Sequence, residues 1–305
     1  MKYYLKSSSS VKEIDGSYFS SLKNAYEVCI SGLLFEESID LVLSNFIDFE
    51  KYLLNKSFDS IHTRLDGKAI SEIRIDINKY ASNILAIAYN YMQYGNLRIK
   101  TITSDNAFDK EKKKIKNDEF RFMEQLRNYT QHYGFPTHSI SIDNFWTKKP
   151  QEGGMRNCTV KPFITISSIT NDHNFMNYGS HSQKAKRKSD IDRFKNYINS
   201  DKANLTLLIR NYIDMIWELH KSIRVIVDEK LRDNIKIFTE AIEKMTPNNK
   251  TKLGCDIEIY KDGTSISKIP LAQRVVNEYN LLKKKHQSGK FSNILVSNQY
   301  ANKEW

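Results

Sequence analysis

The chain has 305 residues, 40% of them hydrophobic and 27% charged, which excludes a disordered protein and leaves room for one large core or two modest domains. Its formal net charge of +11 suits a polyanionic partner such as nucleic acid, although many soluble proteins are basic without one. Three scattered cysteines (Cys29, Cys158 and Cys255) form no CxxC pair, which argues against a disulfide framework and against a zinc knuckle.

The amino-terminal third of the chain predicts two helices after a polar start. Residues 1 to about 20 are typical of a strand or a loose arm, and they lack the apolar core of a signal peptide. Apolar residues at helical spacing predict helices from about 36 to 54 and from about 69 to 94, the second ended by Gly95-Asn96. No apolar run is long enough to span a bilayer. We therefore expect a cytoplasmic protein that does not contact a membrane.

The rest of the chain predicts further helices and two strand regions. A third helix is expected from Asp105 or Asn106 to Gly134, with Pro136 just beyond its end. β-branched residues over 159–170 indicate one or two strands, and a polar loop is expected over 171–190. Helical spacing returns over 204–245, as one helix or as two with a single break. Residues 255–260 and 264–269 resemble a hairpin, and a last helix is expected over 271–285.

These elements predict a mainly α fold with a small antiparallel β element, in which the two late strand regions pair with each other. The predicted organisation is an amino-terminal arm over 1–30, a helical core over 31–150, and a β insertion with further helices over 151–305. The last part would complete or extend the helical bundle.

The end of the third predicted helix carries the residues that indicate a particular chemistry. On a helical wheel of about 100° per residue, Glu124, Arg127, Asn128, Gln131 and His132 share one polar arc, opposite an aromatic and aliphatic arc. Arginine offers a planar, charged fork to phosphate oxygens, and histidine exchanges protons near neutral pH. An ordinary amphipathic helix with a solvated polar face would show the same wheel.

The sequence Arg-Asn-Tyr-Thr-Gln-His, at a helix end and followed closely by glycine, resembles the R-x4-6-H signature of the HEPN superfamily. Asn128 matches the Asn, Asp or His that often follows the arginine in that family. The resemblance covers about residues 30 to 135, and it implies a HEPN-like helical bundle. It also implies a metal-independent endoribonuclease without cofactors, often a bacterial toxin or antiviral effector. Such proteins act as homodimers on RNA, sometimes with an antitoxin or a defence-system partner protein.

Carried onto this chain, the resemblance gives roles to individual residues. Arg127 would bind the scissile phosphate and stabilise its developing charge, and His132 would be the general acid or base. Asn128 would orient the pair or contact RNA, and Gln131 would support them from the same arc. Glu124 would hold the arginine in place or form a plain salt bridge on the helix surface. Arg127 and His132 lie about 140° apart on one helix, so a complete site would need a second copy.

Other polar groups give weaker indications. A basic run (Lys184, Lys186, Arg187 and Lys188) could track an RNA backbone, and a solvated basic loop is the alternative. Three polar residues at 172, 173 and 181 match no metal-ligand spacing, so no metal is expected. His138 lies beyond Pro136 on another element, and the histidines at 62, 220 and 286 show no evident partners. A non-catalytic HEPN-like module that binds nucleic acid or protein remains an alternative, as does a helical scaffold.

Overall fold

A computed structural model describes residues 1–8, 10–62, 66–154, 156–245, 254–262 and 264–286. Within these ranges the helices are α1 (Gly16–His62), α2 (Gly67–Thr103), α3 (Ala107–Lys112), α4 (Asp118–His132), α5 (Ile166–Thr170), α6 (His173–Asn177), α7 (His181–Ile198), α8 (Leu205–Met245) and α9 (Gln273–Lys285). The strands are β1 (Lys2–Lys6), β2 (Val11–Ile14), β3 (Ser139–Trp146), β4 (Arg156–Thr165), β5 (Lys202–Asn204), β6 (Gly254–Lys261) and β7 (Thr264–Ala272). The prediction of a mainly α fold with a small antiparallel β element is confirmed.

The chain divides into two units, each assembled from separate segments. One unit contains Met1–Asp40, Met92–Lys113 and the described residues from Leu219 onward. The other contains Leu41–Tyr91 and Lys114–Glu218. Three long helices, α1, α2 and α8, supply residues to both units. The division of the chain at residues 30 and 150 stays a prediction, although α1 passes through residue 30 without a break.

The first unit contains a four-stranded antiparallel sheet in the order β2-β1-β6-β7. Alternate residues point to one face, so Leu5, Ile257 and Leu271 are almost completely buried. They pack against apolar residues of α1 and α8, including Leu22 and Phe238. The predicted hairpin is present as β6 and β7, and the weakly patterned start of the chain forms two strands followed by α1.

The predicted end of the second helix at Gly95 is wrong, because α2 continues to Thr103. A Cβ atom at residue 95 would lie 2.5 Å from the Phe108 ring, so glycine serves here to let α3 approach. Phe108 is completely buried. A glycine required for close packing was therefore interpreted as a helix terminator.

The second unit contains a three-stranded antiparallel sheet in the order β3-β4-β5. β4 pairs along most of its length with β3 and briefly with β5. The predicted pairing of the strand region at 159–170 with the hairpin region at 255–269 is therefore wrong. The strand prediction over 159–170 holds as far as Thr165, where the chain turns into α5. This unit also contains a buried ion pair, in which Arg210 donates from Nε and Nη2 to the two carboxylate oxygens of Glu50, each at 2.6 Å.

The single helix predicted from residue 105 to 134 is divided into α3 and α4. Consecutive lysines follow α3, and like charges one turn apart disfavour a continuous helix. Asn117 then starts α4, since its side chain accepts a hydrogen bond from the backbone N–H of Phe120. Asp118 and Glu119 in the first turn add favourable charge at this end of the helix dipole.

The polar loop predicted over 171–190 is also wrong, because helices α6 and α7 occupy most of it. α7 begins with a capping box, in which the Ser180 hydroxyl accepts from Gln183 N–H and the Gln183 side chain accepts from Ser180 N–H. This spacing of serine and glutamine was visible in the sequence and signals a helix start. The basic run therefore lies on a helix.

Candidate functional site

Helix α4 is fixed in the second unit by its apolar face. Phe122, Met123 and Leu126 are completely buried, and the Phe122 ring stacks on Phe194 of α7 with centroids 4.0 Å apart. This packing fixes the rotation of the helix, and it thereby determines where the polar arc of the Arg–His motif points.

Arg127 is buried, with 8% of its surface exposed. Its guanidinium lies over the ring of Tyr89 on α2, 3.1 Å from the ring centroid. One terminal nitrogen donates to Asn128 Oδ1 at 2.7 Å and to Gln131 Oε1 at 2.9 Å. These acceptors are neutral amides, and among the described residues no carboxylate forms an ion pair with Arg127. Its positive charge is therefore held in place without being neutralised.

His132 differs from Arg127 in being exposed. It occupies the last turn of α4, and its ring makes an edge contact with Tyr133, whose centroid is 6.1 Å away. Within the described ranges, no side chain or backbone group forms a hydrogen bond with the His132 imidazole. Both ring nitrogens are therefore accessible to a substrate or to a second protein chain.

Glu124 is not the residue that holds Arg127. Its carboxylate accepts a hydrogen bond from the Tyr212 hydroxyl at 2.6 Å. Burial, followed by the charge and hydrogen bond of Glu124, raises the pKa of Tyr212 well above its usual value, and Arg127 acts in the opposite direction. Of the two predicted supporting residues, Gln131 therefore contacts the guanidinium, and Glu124 contacts Tyr212 instead.

The segment after α4 requires the glycine that follows the motif. A Cβ atom at residue 134 would lie 2.3 Å from the Tyr129 hydroxyl oxygen. The backbone N–H groups of Tyr133 and Gly134 both donate to the carbonyl of Tyr129, which ends the helix. The Tyr129 ring packs edge-on against Phe175 of α6, with centroids 5.2 Å apart. The predicted helix end at Gly134 thus lies within two residues of the observed one.

The four residues of the basic run do not share one exposed surface. Arg187 is buried and donates to the carbonyls of Phe175, Met176 and Tyr178, with the guanidinium over the Phe175 ring. These hydrogen bonds from one terminal nitrogen fix α6 and leave Arg187 little exposed, so its role in RNA binding stays a prediction without support from this geometry.

The three lysines of the run remain at the surface of α7. Lys186 forms an ion pair with Asp190 at 2.9 Å, and the same carboxylate oxygen accepts from Gln125 of α4. Lys188 is exposed and Lys184 is half-buried. Only these lysines could still contact an RNA backbone.

A buried charge cluster in the first unit was missed by the sequence analysis. Glu36 of α1 accepts from Nε and Nη2 of Arg224 on α8, and it lies 3.3 Å from Nε2 of His220, which is completely buried. Burial would raise the pKa of Glu36, but the hydrogen bonds and charges of His220 and Arg224 lower it to about 2. Burial also lowers the pKa of His220. The neighbouring His286 pairs with Asp40 in the same unit.

Only a weak sequence signal marks this cluster. His220 and Arg224 are four residues apart on one helix, which places them on one face. Nothing in the sequence connects that face with Glu36, 184 residues earlier. The earlier conclusion that the histidines at 220 and 286 have no evident partners is thus wrong.

The described residues contain neither a group of three or more His, Cys, Asp or Glu side chains placed to hold a metal ion nor a helix long and apolar enough to cross a membrane. No protein-family model, curated protein or solved structure matches this chain. The HEPN resemblance therefore stays a prediction that depends on the Arg–His motif.

Proposed function

We propose that the protein is a metal-independent endoribonuclease whose site combines the Arg–His motifs of two copies of the chain. The observation that carries this proposal is the state of Arg127. It is buried, supported by Tyr89 and oriented by Asn128 and Gln131, yet its partners are neutral. A buried cation without a carboxylate is costly unless an anion completes the site, and a phosphodiester supplies one.

The reaction follows from the chemistry of the two side chains. The ribose 2′-oxygen attacks phosphorus and loses its proton, and the bond to the 5′-oxygen breaks as that oxygen gains one. The products are a 2′,3′-cyclic phosphate and a 5′-hydroxyl. Arg127 stabilises the negative charge that develops on the phosphoryl oxygens. Asn128 and Gln131 give up their hydrogen bonds to the guanidinium as phosphate oxygens replace them.

A second copy of the chain would supply the second proton-transfer group that this mechanism needs, and the surface beside the motif suits such a contact. One imidazole cannot remove the 2′ proton and supply the 5′ proton in the same step, whereas two His132 side chains can. The surface beside the motif is also suited to an interface, because Tyr178 is 66% exposed and contacts Tyr133, the residue after His132. Exposed aromatic rings of this kind are common in protein interfaces.

The first experiment incubates the wild type, Arg127→Ala and His132→Ala with total RNA and with tRNA in EDTA. We expect cleavage by the wild type only, with 2′,3′-cyclic phosphate ends. The matched control is His173→Ala, which removes an exposed histidine on α6 outside the motif. Full cleavage by the His132→Ala protein would refute the mechanism.

Subunit mixing tests the composite site separately. Wild-type protein is mixed with His132→Ala protein under conditions that allow subunits to exchange. If both motifs act together, activity per wild-type subunit falls to about one half in an equal mixture and to about one tenth with a ninefold excess of the variant. A site contained within one chain predicts no change in activity per wild-type subunit.

A non-catalytic nucleic-acid-binding module is the second candidate. The small exposure of Arg127 favours it, because its side chain must rearrange before phosphate can reach it. This alternative predicts RNA binding that weakens steeply with salt and no cleavage by any form of the protein. A bacterial toxin or antiviral role, with an antitoxin or other partner protein, belongs to the ribonuclease proposal and is tested after cleavage has been measured.

A further inference from the structure

A pocket of about 520 Å³ lies in the second unit, between α2 and the segment that follows α4. Its volume is within the range of about 300–1,000 Å³ that is typical of small-molecule sites. Tyr129 and Gly134, at the end of the motif helix, line one part of it. The residues that could contact a ligand through charge, hydrogen bonds or stacking are Arg74, Lys79, Ser82, Phe135, Thr137 and His138.

The charge of the pocket favours an anion. Arg74 and Lys79 are exposed on α2, and the lining residues include no aspartate or glutamate. Among the described residues, neither cation forms an ion pair. Asp76, which lies between the two cations in sequence, accepts a hydrogen bond from the Tyr52 hydroxyl at 2.9 Å. Two unpaired cations beside one cavity create a positive potential that attracts a phosphate group.

Neutral donors in the pocket suit the same ligand. The backbone N–H of Thr165 donates to His138 Nδ1 at 3.0 Å, so the neutral ring carries its proton on Nε2, which is then a donor. Burial, with Arg74 acting in the same direction, lowers the pKa of His138 and favours this neutral form. Thr137 is fixed by its backbone N–H, which donates to Asn78 Oδ1 at 2.8 Å. Its hydroxyl is buried without a hydrogen-bond partner in the described part of the chain.

An aromatic surface adjoins these polar groups. Phe135 lines the pocket and is 68% exposed, which is unusual for a large apolar side chain. Ile75, also in the lining, is 62% exposed. Aromatic rings beside cationic grooves commonly stack on nucleic-acid bases.

We propose that this pocket binds one nucleotide, with its phosphate at Arg74 and Lys79 and its base against Phe135. This proposal rests on the proposed ribonuclease function in one respect, the source of the nucleotide. If the protein is a ribonuclease, the bound nucleotide is a residue of the RNA next to the cleaved bond. Tyr129 and Gly134 belong to both the motif end and the pocket wall, so RNA held at His132 would pass this cavity.

The experiment measures binding of a short, fluorescein-labelled single-stranded RNA by anisotropy in EDTA. All proteins carry His132→Ala, so that the RNA stays intact. We expect the double variant Arg74→Gln/Lys79→Gln to weaken binding at least about tenfold, because two phosphate contacts are lost. Phe135→Ala should weaken it by roughly 5- to 100-fold through loss of stacking.

The matched control is Arg232→Gln/Lys236→Gln, which removes two exposed cations from α8 in the other unit. It should change the affinity by less than about twofold, since a similar charge is lost from residues that do not line the pocket. Equal weakening by both double variants would overturn the proposal, because the effect would then be general charge attraction. Wild-type affinity in the pocket variants would overturn it as well.

Adenosine 5′-monophosphate distinguishes the source of the nucleotide, with adenosine and inorganic phosphate as partial ligands. Displacement of RNA by the monophosphate, lost in Arg74→Gln/Lys79→Gln, supports a pocket that also accepts free nucleotides. RNA binding that depends on the pocket without such displacement supports a nucleotide within a chain. Cleavage by wild type with no effect of the pocket variants refutes this inference alone. Pocket-dependent binding without cleavage refutes the ribonuclease proposal alone.

Discussion

Removing the buried carboxylate of Glu36 should destabilise the protein in a manner that depends on pH. Its ordinary pKa of 4.5 is lowered to about 2 in the folded protein, where it pairs with Arg224 and His220. A pKa lower in the folded state means that the ionised form stabilises the fold above the unfolded pKa, and that this stability is lost as pH falls through the folded pKa. This lowering of the Glu36 pKa corresponds to a stabilisation of the folded state of about 3 kcal/mol near pH 7 and about 1 kcal/mol near pH 3.

Glu36→Gln keeps the size of the side chain but removes the carboxylate that pairs with Arg224, whose side chain is only 11% exposed. We expect a loss of about 3–5 kcal/mol in the free energy of unfolding near pH 7. The difference in unfolding free energy between wild type and Glu36→Gln should narrow by about 2 kcal/mol near pH 3. At that pH, Glu36 of the unfolded wild-type chain is mostly protonated, so its ionised form stabilises the wild-type fold less. Urea unfolding followed by circular dichroism at both pH values measures the gap.

Glu37→Gln is the matched control, because Glu37 is the adjacent acid and is exposed. It should change the unfolding free energy by less than about 0.5 kcal/mol at both pH values. A gap between wild type and Glu36→Gln that stays constant from about pH 7 to about pH 3 would refute the argument. It would mean that the ionisation of Glu36 is not coupled to folding.

Three further outcomes test the second unit. Arg210→Met should lower the free energy of urea unfolding by about 3–5 kcal/mol, because Glu50 keeps a buried charge without its partner. Adding Glu50→Leu should recover most of this loss. If the losses of the two single variants simply add in the double variant, the pairing is contradicted. Gly134→Ala should cost about 1–3 kcal/mol through the clash with Tyr129, and unchanged thermal unfolding would contradict the close approach. Arg187→Gln should lower the free energy of unfolding by about 3 kcal/mol, because it leaves carbonyls of α6 without hydrogen bonds. RNA affinity per folded molecule should stay unchanged. Weaker RNA binding at unchanged stability would instead identify Arg187 as an RNA contact.

The sequence predicts the helices well where periodicity is long and poorly where short polar signals decide the structure. α8 begins and ends within about one residue of its prediction, because apolar residues recur along all of it. α7 was missed because its polar residues outnumber its apolar ones, and only the capping box at Ser180 marks its start. β3 was missed as well, since its partner strand is needed to satisfy its backbone groups and that pairing is not visible locally.

The candidate site divides in the same way between local and distant information. The motif and the helix that carries it are local, and the wheel correctly places Asn128 and Gln131 beside Arg127. The contacts of Tyr89 and Tyr212 are not local, because they come from helices far away in the sequence. Burial of Arg187 likewise depends on how α6 packs, so its charge alone could not predict that it is buried.

The position of β1 in its sheet has a consequence for synthesis of the chain. Its partner β6 lies far along the sequence, as the 252-residue separation of Lys6 and Glu258 illustrates. At about 5–20 residues per second, a ribosome needs roughly 13–50 s to cover that interval. Throughout this time both edges of the β1–β2 hairpin are unpaired, and for most of it only α1 has been made of the helices that cover its apolar face, which are features that favour aggregation. A slower translation rate lengthens this interval, and we therefore expect it to lower the yield of folded protein unless a chaperone covers the hairpin.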